Sequence, residues 1–171
     1  AIYDALSTPI DMAIEEINAA GGVNGTPVVR ADADDGTSAD VAATGLDTLL
    51  NSDNADVILG PAASGVSVSL IDTVREAGVV QCSGSNTSAE LSTVDDGGFY
   101  FRTAPPDALQ GPALAQLILS DGFSNIAILA RNDSYGTGFA DALEAALTDS
   151  GATVALNAAY DPDASDYQAD V

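Results

Sequence analysis

Histidine and lysine are both missing from the 171 residues, and cysteine and methionine occur once each. Without an imidazole, neither a Ser-His-Asp nor a Cys-His arrangement can be assembled, and the commonest transition-metal side-chain ligand is lost. Without lysine the G-x-x-x-x-G-K-[ST] phosphate loop cannot exist, and no G-x-G-x-x-G is present either. Hydrolytic and zinc chemistry are thereby disfavoured, no catalytic or metal residues are assigned, and no cofactor is expected. The single Cys82, in "GVVQCSGS", cannot form an internal disulfide. With no positive neighbour to favour its thiolate, it reads as a small buried hydrophobe.

Positive charge is nearly absent: four arginines face 26 acidic residues, for a net charge of −22. Such a chain repels phosphate backbones and anionic lipid, so neither nucleic acid nor a membrane surface is expected as a partner. The acids are scattered over the chain and read as a solvated surface; adaptation to high salt, where repulsion is screened within a few ångströms, is the sharper alternative. Hydrophobic residues make up 46%, yet no run approaches the ~18 apolar residues of a membrane span. The opening "AIYDALSTPI" has no basic n-region and no apolar h-region, as expected of a mature or trimmed form.

What is present is an alternation. "STPIDMAIEEINAAGG" predicts a helix capped at Ser7 and Thr8, with Pro9 in its first turn, an apolar face of Ile10, Ala13, Ile14 and Ile17, and a Gly21-Gly22 stop. "TPVVRADADDG" predicts a strand, "TSADVAATGLDTLLNSDN" a helix, "ADVILGP" a buried strand and "SGVSVSLIDTVREAG" a helix. "VVQCSGS" and "GGFYFRTAPP" predict strands, "PDALQGPALAQLILSDG" a helix, "SNIAILARND" a strand, "SYGTGFADALEAALTDSG" a helix and "ATVALNAAYDPD" a strand, with a last helix opening in "ASDYQADV". Short apolar strands between amphipathic helices imply an α/β fold: a doubly wound, mostly parallel sheet with helices on both faces. "RTAPPD" follows a strand and precedes a helix, and is the best place for the chain to cross between two lobes. This gives an N-terminal lobe at 1–102, a crossing at 103–106 and the start of a second, incomplete lobe at 107–171.

In such sheets ligands bind beyond the carboxyl ends of the strands. Those ends are Asp34 and Asp35, then 60–64, 83–87, 103–106 and 132–135. A helix opening at Ser64 directs unpaired N–H groups and its positive dipole end at whatever sits above the sheet, and small neighbours let a carboxylate approach. A plain cap at Ser64 accounts for the same pattern. "SGSNTSAEL" offers Ser83, Ser85, Asn86, Thr87 and Ser88, which could take an ammonium and a carboxylate or simply cap the next turn. Tyr135, at a strand-to-helix junction, fits either a cover over a ligand or a half-buried aromatic. The acid pairs at Asp34/Asp35 and Asp161/Asp163 lack the glycine and twelfth-position acid of a calcium loop and read as caps. Three N-x-[ST] sequons, at Asn24, Asn86 and Asn132, carry little weight in this composition.

Taken in order, "AIEEINAAGGVNGTPV", "ADADDGTSADVAATGLDTLL", "VILGPAASGVSVSLIDTVREAGV", "SGSNTSAEL", "FRTAPPDALQGPALAQ" and "NDSYGTGFADALEAAL" resemble the type I periplasmic binding proteins of branched-chain amino acid (Leu/Ile/Val) transport. The resemblance implies a two-lobed, non-enzymatic receptor that closes over an amino acid or similar small carboxylate. Such a receptor delivers its ligand to an ABC transporter permease outside the cytoplasm, in the periplasm or as a cell-surface lipoprotein whose anchor would lie outside this segment. It implies that Ser64 holds the ligand α-carboxylate, that Ser85 and Thr87 hold the α-carboxylate and α-ammonium, and that Tyr135 packs over the ligand. Ala63, Gly65 and Asn86 are secondary candidates. The family's first strand has no counterpart before Tyr3, and the acidic partner of the ligand ammonium is expected beyond Val171. A ligand-sensing receptor domain of the same superfamily is the alternative, and an enzyme built from Asp, Ser and Tyr a remote third.

Overall fold

The computed structural model describes residues 2–167. Among these residues are five α-helices, α1 (Ile2–Ala19), α2 (Ala39–Asn51), α3 (Ser64–Ala77), α4 (Asp107–Ser120) and α5 (Ser134–Asp149), and five strands. The strands are β1 (Val57–Leu59), β2 (Val80–Ser83), β3 (Tyr100–Arg102), β4 (Asn125–Arg131) and β5 (Thr153–Tyr160). They form two parallel sheets, one ordered β1-β2-β3 and one β4-β5, separated in sequence by the 103–106 stretch and α4.

Helix α3 shows how the sequence builds the first unit. Val66, Leu70 and Val74, at helical spacing, are buried with Ala42 and Leu46 of α2 and Ile58 of β1. On the adjoining side Ile71 meets Leu91 and Tyr100. The helix stops at Gly78, whose φ of 68° only glycine adopts cheaply, and whose N–H closes on the Arg75 and Val74 carbonyls. In the second unit Ala115 of α4, Ile128 of β4 and Ala140, Leu143 and Leu147 of α5 make a separate core. Gly111 lets α4 and α5 touch, since a Cβ there would lie 2.7 Å from the Ala142 carbonyl carbon.

Four expectations need correction. Helix α1 begins at Ile2 and carries Pro9 in its interior rather than its first turn. Arg30 steadies it on both sides of that proline by donating to the Ser7 carbonyl and pairing with Asp11. Its apolar face is only half-buried at Ile10 and Ile14 and exposed at Ala13 and Ile17, because no strand packs beneath it among the described residues. The stretch at 27–35 is extended but joins no sheet; the Asn18 side chain takes both backbone groups of Val28, receiving its N–H at 2.7 Å and donating to its carbonyl at 2.9 Å. Residues 164–167 are not helical, and the rest of the helix expected in "ASDYQADV" lies outside the described residues.

The first sheet also has two unlike faces. Ile58, Gln81, Ser83 and Tyr100 point inward and are buried, whereas Leu59, Cys82 and Phe101, in register across three strands, point to the other side. Leu59 and Phe101 are more than half exposed there. Cys82 is half-buried on that open face, not sealed in the core as its apolar context suggested.

Candidate functional site

The chain leaves β1 through a turn at Gly60, Pro61 and Ala62 whose backbone acceptors are all occupied from within the fold. The Gly60 carbonyl receives the Gln81 amide at 3.0 Å. The Pro61 carbonyl receives Ser67, Ser83 and Asn86 at 3.1–3.3 Å. The Ala62 carbonyl receives Ser85 at 2.8 Å and Asn86 at 2.9 Å. A peptide turn with its oxygens tied down presents its other polar end, the N–H groups that open α3. The first helical bond runs from the Ser67 N–H to the Ala63 carbonyl, so residues 64–66 have no intrahelical acceptor for theirs. Ala63 precedes the helix and provides no side-chain cap.

Ser64 is 2% exposed, and its Oγ accepts the N–H groups of Thr87 at 3.2 Å and Ser88 at 3.3 Å. With both lone pairs taken, only its hydroxyl proton is left to offer, which suits an anionic acceptor. The hydroxyl of Thr87 is buried and meets no partner. Beside it Asp107, the first residue of α4, is fully buried with neither carboxylate oxygen hydrogen-bonded, although its N–H donates to the Thr87 carbonyl at 2.8 Å. Burial raises the Asp107 pKa above the usual carboxylate value. Tyr100 donates its hydroxyl to the Asn86 carbonyl oxygen at 2.9 Å, and burial pushes its pKa up to about 12.

Above the start of α3 lies a cavity of about 210 Å³. Thr37, Ala39, Ala63, Ser64, Gly65 and Val66 line it from the first unit, and Arg131, Asp133 and Tyr135 from the second. The units meet closely here: a Cβ on Gly65 would stand 3.2 Å from that of Ser134. Tyr135 is 43% exposed and stacks on Phe139 with ring centres 6.0 Å apart. Asp133 caps α5 through Oδ1, which accepts from Tyr135 and Gly136, while Oδ2 pairs with Arg131 at 2.7 Å.

The structure thus brings Ser64, Ala63, Gly65 and Tyr135 to one cavity and leaves Ser85, Asn86 and Thr87 off its wall. The Ser85 hydroxyl and the Asn86 amide are spent on the 60–62 turn, and Asn86, fully buried, is closed to glycosylation in this fold. Asp34, Asp35 and Asp161 each accept a backbone N–H two residues on, as caps do. Among the described residues no three acidic or thiol groups converge as a metal requires, and no helix is long and apolar enough to cross a membrane. Sequence reasoning passed over Thr37, Ala39 and Arg131. Arg131 is the last residue of β4, one position before the strand end singled out at 132–135, and its rarity in so acidic a chain was the available signal.

The cavity is thus walled by two parallel-sheet units, with an uncapped helix start on one side and an aromatic on the other. The chain belongs to the periplasmic binding protein family, whose model matches residues 5–171. It is 31% identical over 140 residues, 78% of this chain and 34% of the relative, to a chemotactic signal transduction system substrate-binding protein of Halobacterium salinarum. It is 29% identical over 167 residues to a Leu/Ile/Val-binding protein of Rhizobium johnstonii, covering 97% of this chain and 45% of that one. An ABC transporter substrate-binding protein of Desulfitobacterium hafniense, solved in complex with Leu, superposes with a TM-score of 0.74 at 28% identity, over 88% of this chain and 44% of that one. The chain therefore spans less than half the length of these relatives.

Proposed function

We propose that this chain carries one wall and part of the second of an extracytoplasmic solute-binding protein, which captures an amino acid or similar small carboxylate between two lobes and hands it to an ABC permease. The observation that carries this reading is the cavity at the uncapped start of α3. Backbone N–H groups there, with the helix dipole and the Ser64 proton, stabilise a carboxylate without a full counter-charge. In this reading Ser64 and the 64–66 backbone hold the α-carboxylate and Tyr135 covers the ligand. Ser85 and Thr87, on the same lobe, hold the α-carboxylate and α-ammonium through their backbone groups and the Thr87 hydroxyl. Residues 103–106 are the crossing about which the lobes close. Solute capture requires no covalent step, in keeping with relatives named as binding proteins.

The test is calorimetry on the complete protein with amino acids and small carboxylates. Ser64→Ala is expected to weaken binding by about 1–3 kcal/mol, the cost of a lost hydrogen bond to a charged group. Unchanged affinity in that variant would remove Ser64 from the site. The Halobacterium relative's chemotactic role supports a second reading, a sensor in which the closed form is read by a signalling partner instead of a permease.

A further inference from the structure

We infer that Arg131 makes the cleft selective for a ligand with a second anionic group, a small dicarboxylate such as an acidic amino acid. The inference rests on the carboxylate site proposed above and adds to it the chemistry of the ligand's far end. Of the four arginines, three are committed elsewhere. Arg30 pairs with Asp11 of α1 and with Asp32, Arg75 pairs with Asp72 and Asp95, and Arg102 donates to the Ser88 carbonyl and the Ser92 hydroxyl. Only Arg131 lines the cavity.

Its geometry suits capture of a second carboxylate. Asp133 Oδ2 pairs with the guanidinium at Nε, at 2.7 Å. The two terminal nitrogens make no hydrogen bond among the described residues, which leaves the fork that binds carboxylates in pairs of parallel bonds. Asp133 itself is consumed: one oxygen holds Nε and the other caps α5 by accepting from Tyr135 and Gly136. It fixes the arginine in place more than it repels a ligand, and among the described residues no other carboxylate lines the cavity. The start of α2 at Ala39 also reaches this wall, after a Ser38 whose side chain makes no capping bond, adding a second positive dipole end. Both ends line the same cavity, so a compact ligand with one carboxylate at Ser64 meets Arg131 with the other. A purely aliphatic side chain would leave the terminal nitrogens of the guanidinium to water and gain no bond from them.

The experiment is isothermal titration of the complete protein with L-glutamate, L-aspartate, succinate and L-leucine, in the parent, Arg131→Gln and Arg131→Lys, each checked for parental thermal unfolding. At least one dicarboxylate is expected to bind tighter than leucine. The ratio of dicarboxylate to leucine affinity should fall at least about tenfold in R131Q and recover in part in R131K, which keeps the charge but not the fork. Leucine binding as tightly as or tighter than every dicarboxylate, with the ratio unmoved in R131Q, overturns the inference and leaves the carboxylate site standing. Failure of all four compounds to bind the parent overturns both.

Discussion

At the scale of single residues the most consequential side chain is one the cavity does not expose. Asp107 sits fully buried with its carboxylate unpartnered, and burial raises its pKa above 3.8. The folded chain therefore holds this proton more tightly than the unfolded chain does. Stability from this group is greatest in acid and declines as pH rises through the raised folded value. Asp107→Asn removes the charge, so its advantage over the parent should be absent below about pH 4 and grow to about 1–2 kcal/mol by neutral pH. Urea unfolding of both proteins between pH 3.5 and 7.5 measures the difference, and parallel curves would mean that Asp107 titrates as an ordinary surface carboxylate. Nothing in "PPDALQG" announces that its acid is interior, since an aspartate opening a helix is normally a solvated partner of the dipole. At Ser64 the small residues around it point both to a helix cap and to a carboxylate site.

At the scale of elements, periodicity served well wherever a helix or strand buries one face against another. Helix α3 runs from Ser64 to Ala77 as its apolar spacing predicts, and β2 and β4 lie within the apolar runs that predict them. Reading failed where partners decide the outcome. The 27–35 stretch has strand composition but finds an asparagine side chain instead of a neighbouring strand, and α1 continues through a proline that would ordinarily mark a beginning. Contacts between units, Arg131 and Thr37 above all, carry no local pattern, because the residues that meet at the cavity are about ninety apart in sequence. One junction is decided by a missing side chain. A Cβ on Gly136 would lie 2.1 Å from the Arg131 carbonyl oxygen, so only glycine lets the first turn of α5 fold back onto the end of β4. Gly136→Ala should cost about 3 kcal/mol or more in stability and displace Arg131 and Tyr135, measured as a lowered Tm together with weakened ligand binding. A parental Tm with intact binding would show that the junction relaxes at little cost.

At the scale of the whole molecule, charge dominates. The described ion pairs engage five aspartates of a chain with 26 acids, so self-repulsion opposes the compact state. Salt should relieve it, since the screening length contracts from about 10 Å at 0.1 M to about 3 Å at 1 M, and Tm should climb with sodium chloride over that range. For these residues taken alone, the open side of the first sheet sets a limit on that gain. Leu59, Cys82 and Phe101 stand in register there, and at low ionic strength the surrounding negative field keeps two such surfaces apart. Once the field is screened, the same surface becomes adhesive. Light scattering should therefore begin to rise at salt concentrations where Tm is still improving. Colloidal and conformational stability would then peak under different conditions, and the concentration at which this chain is best folded would not be the one at which it is best dispersed.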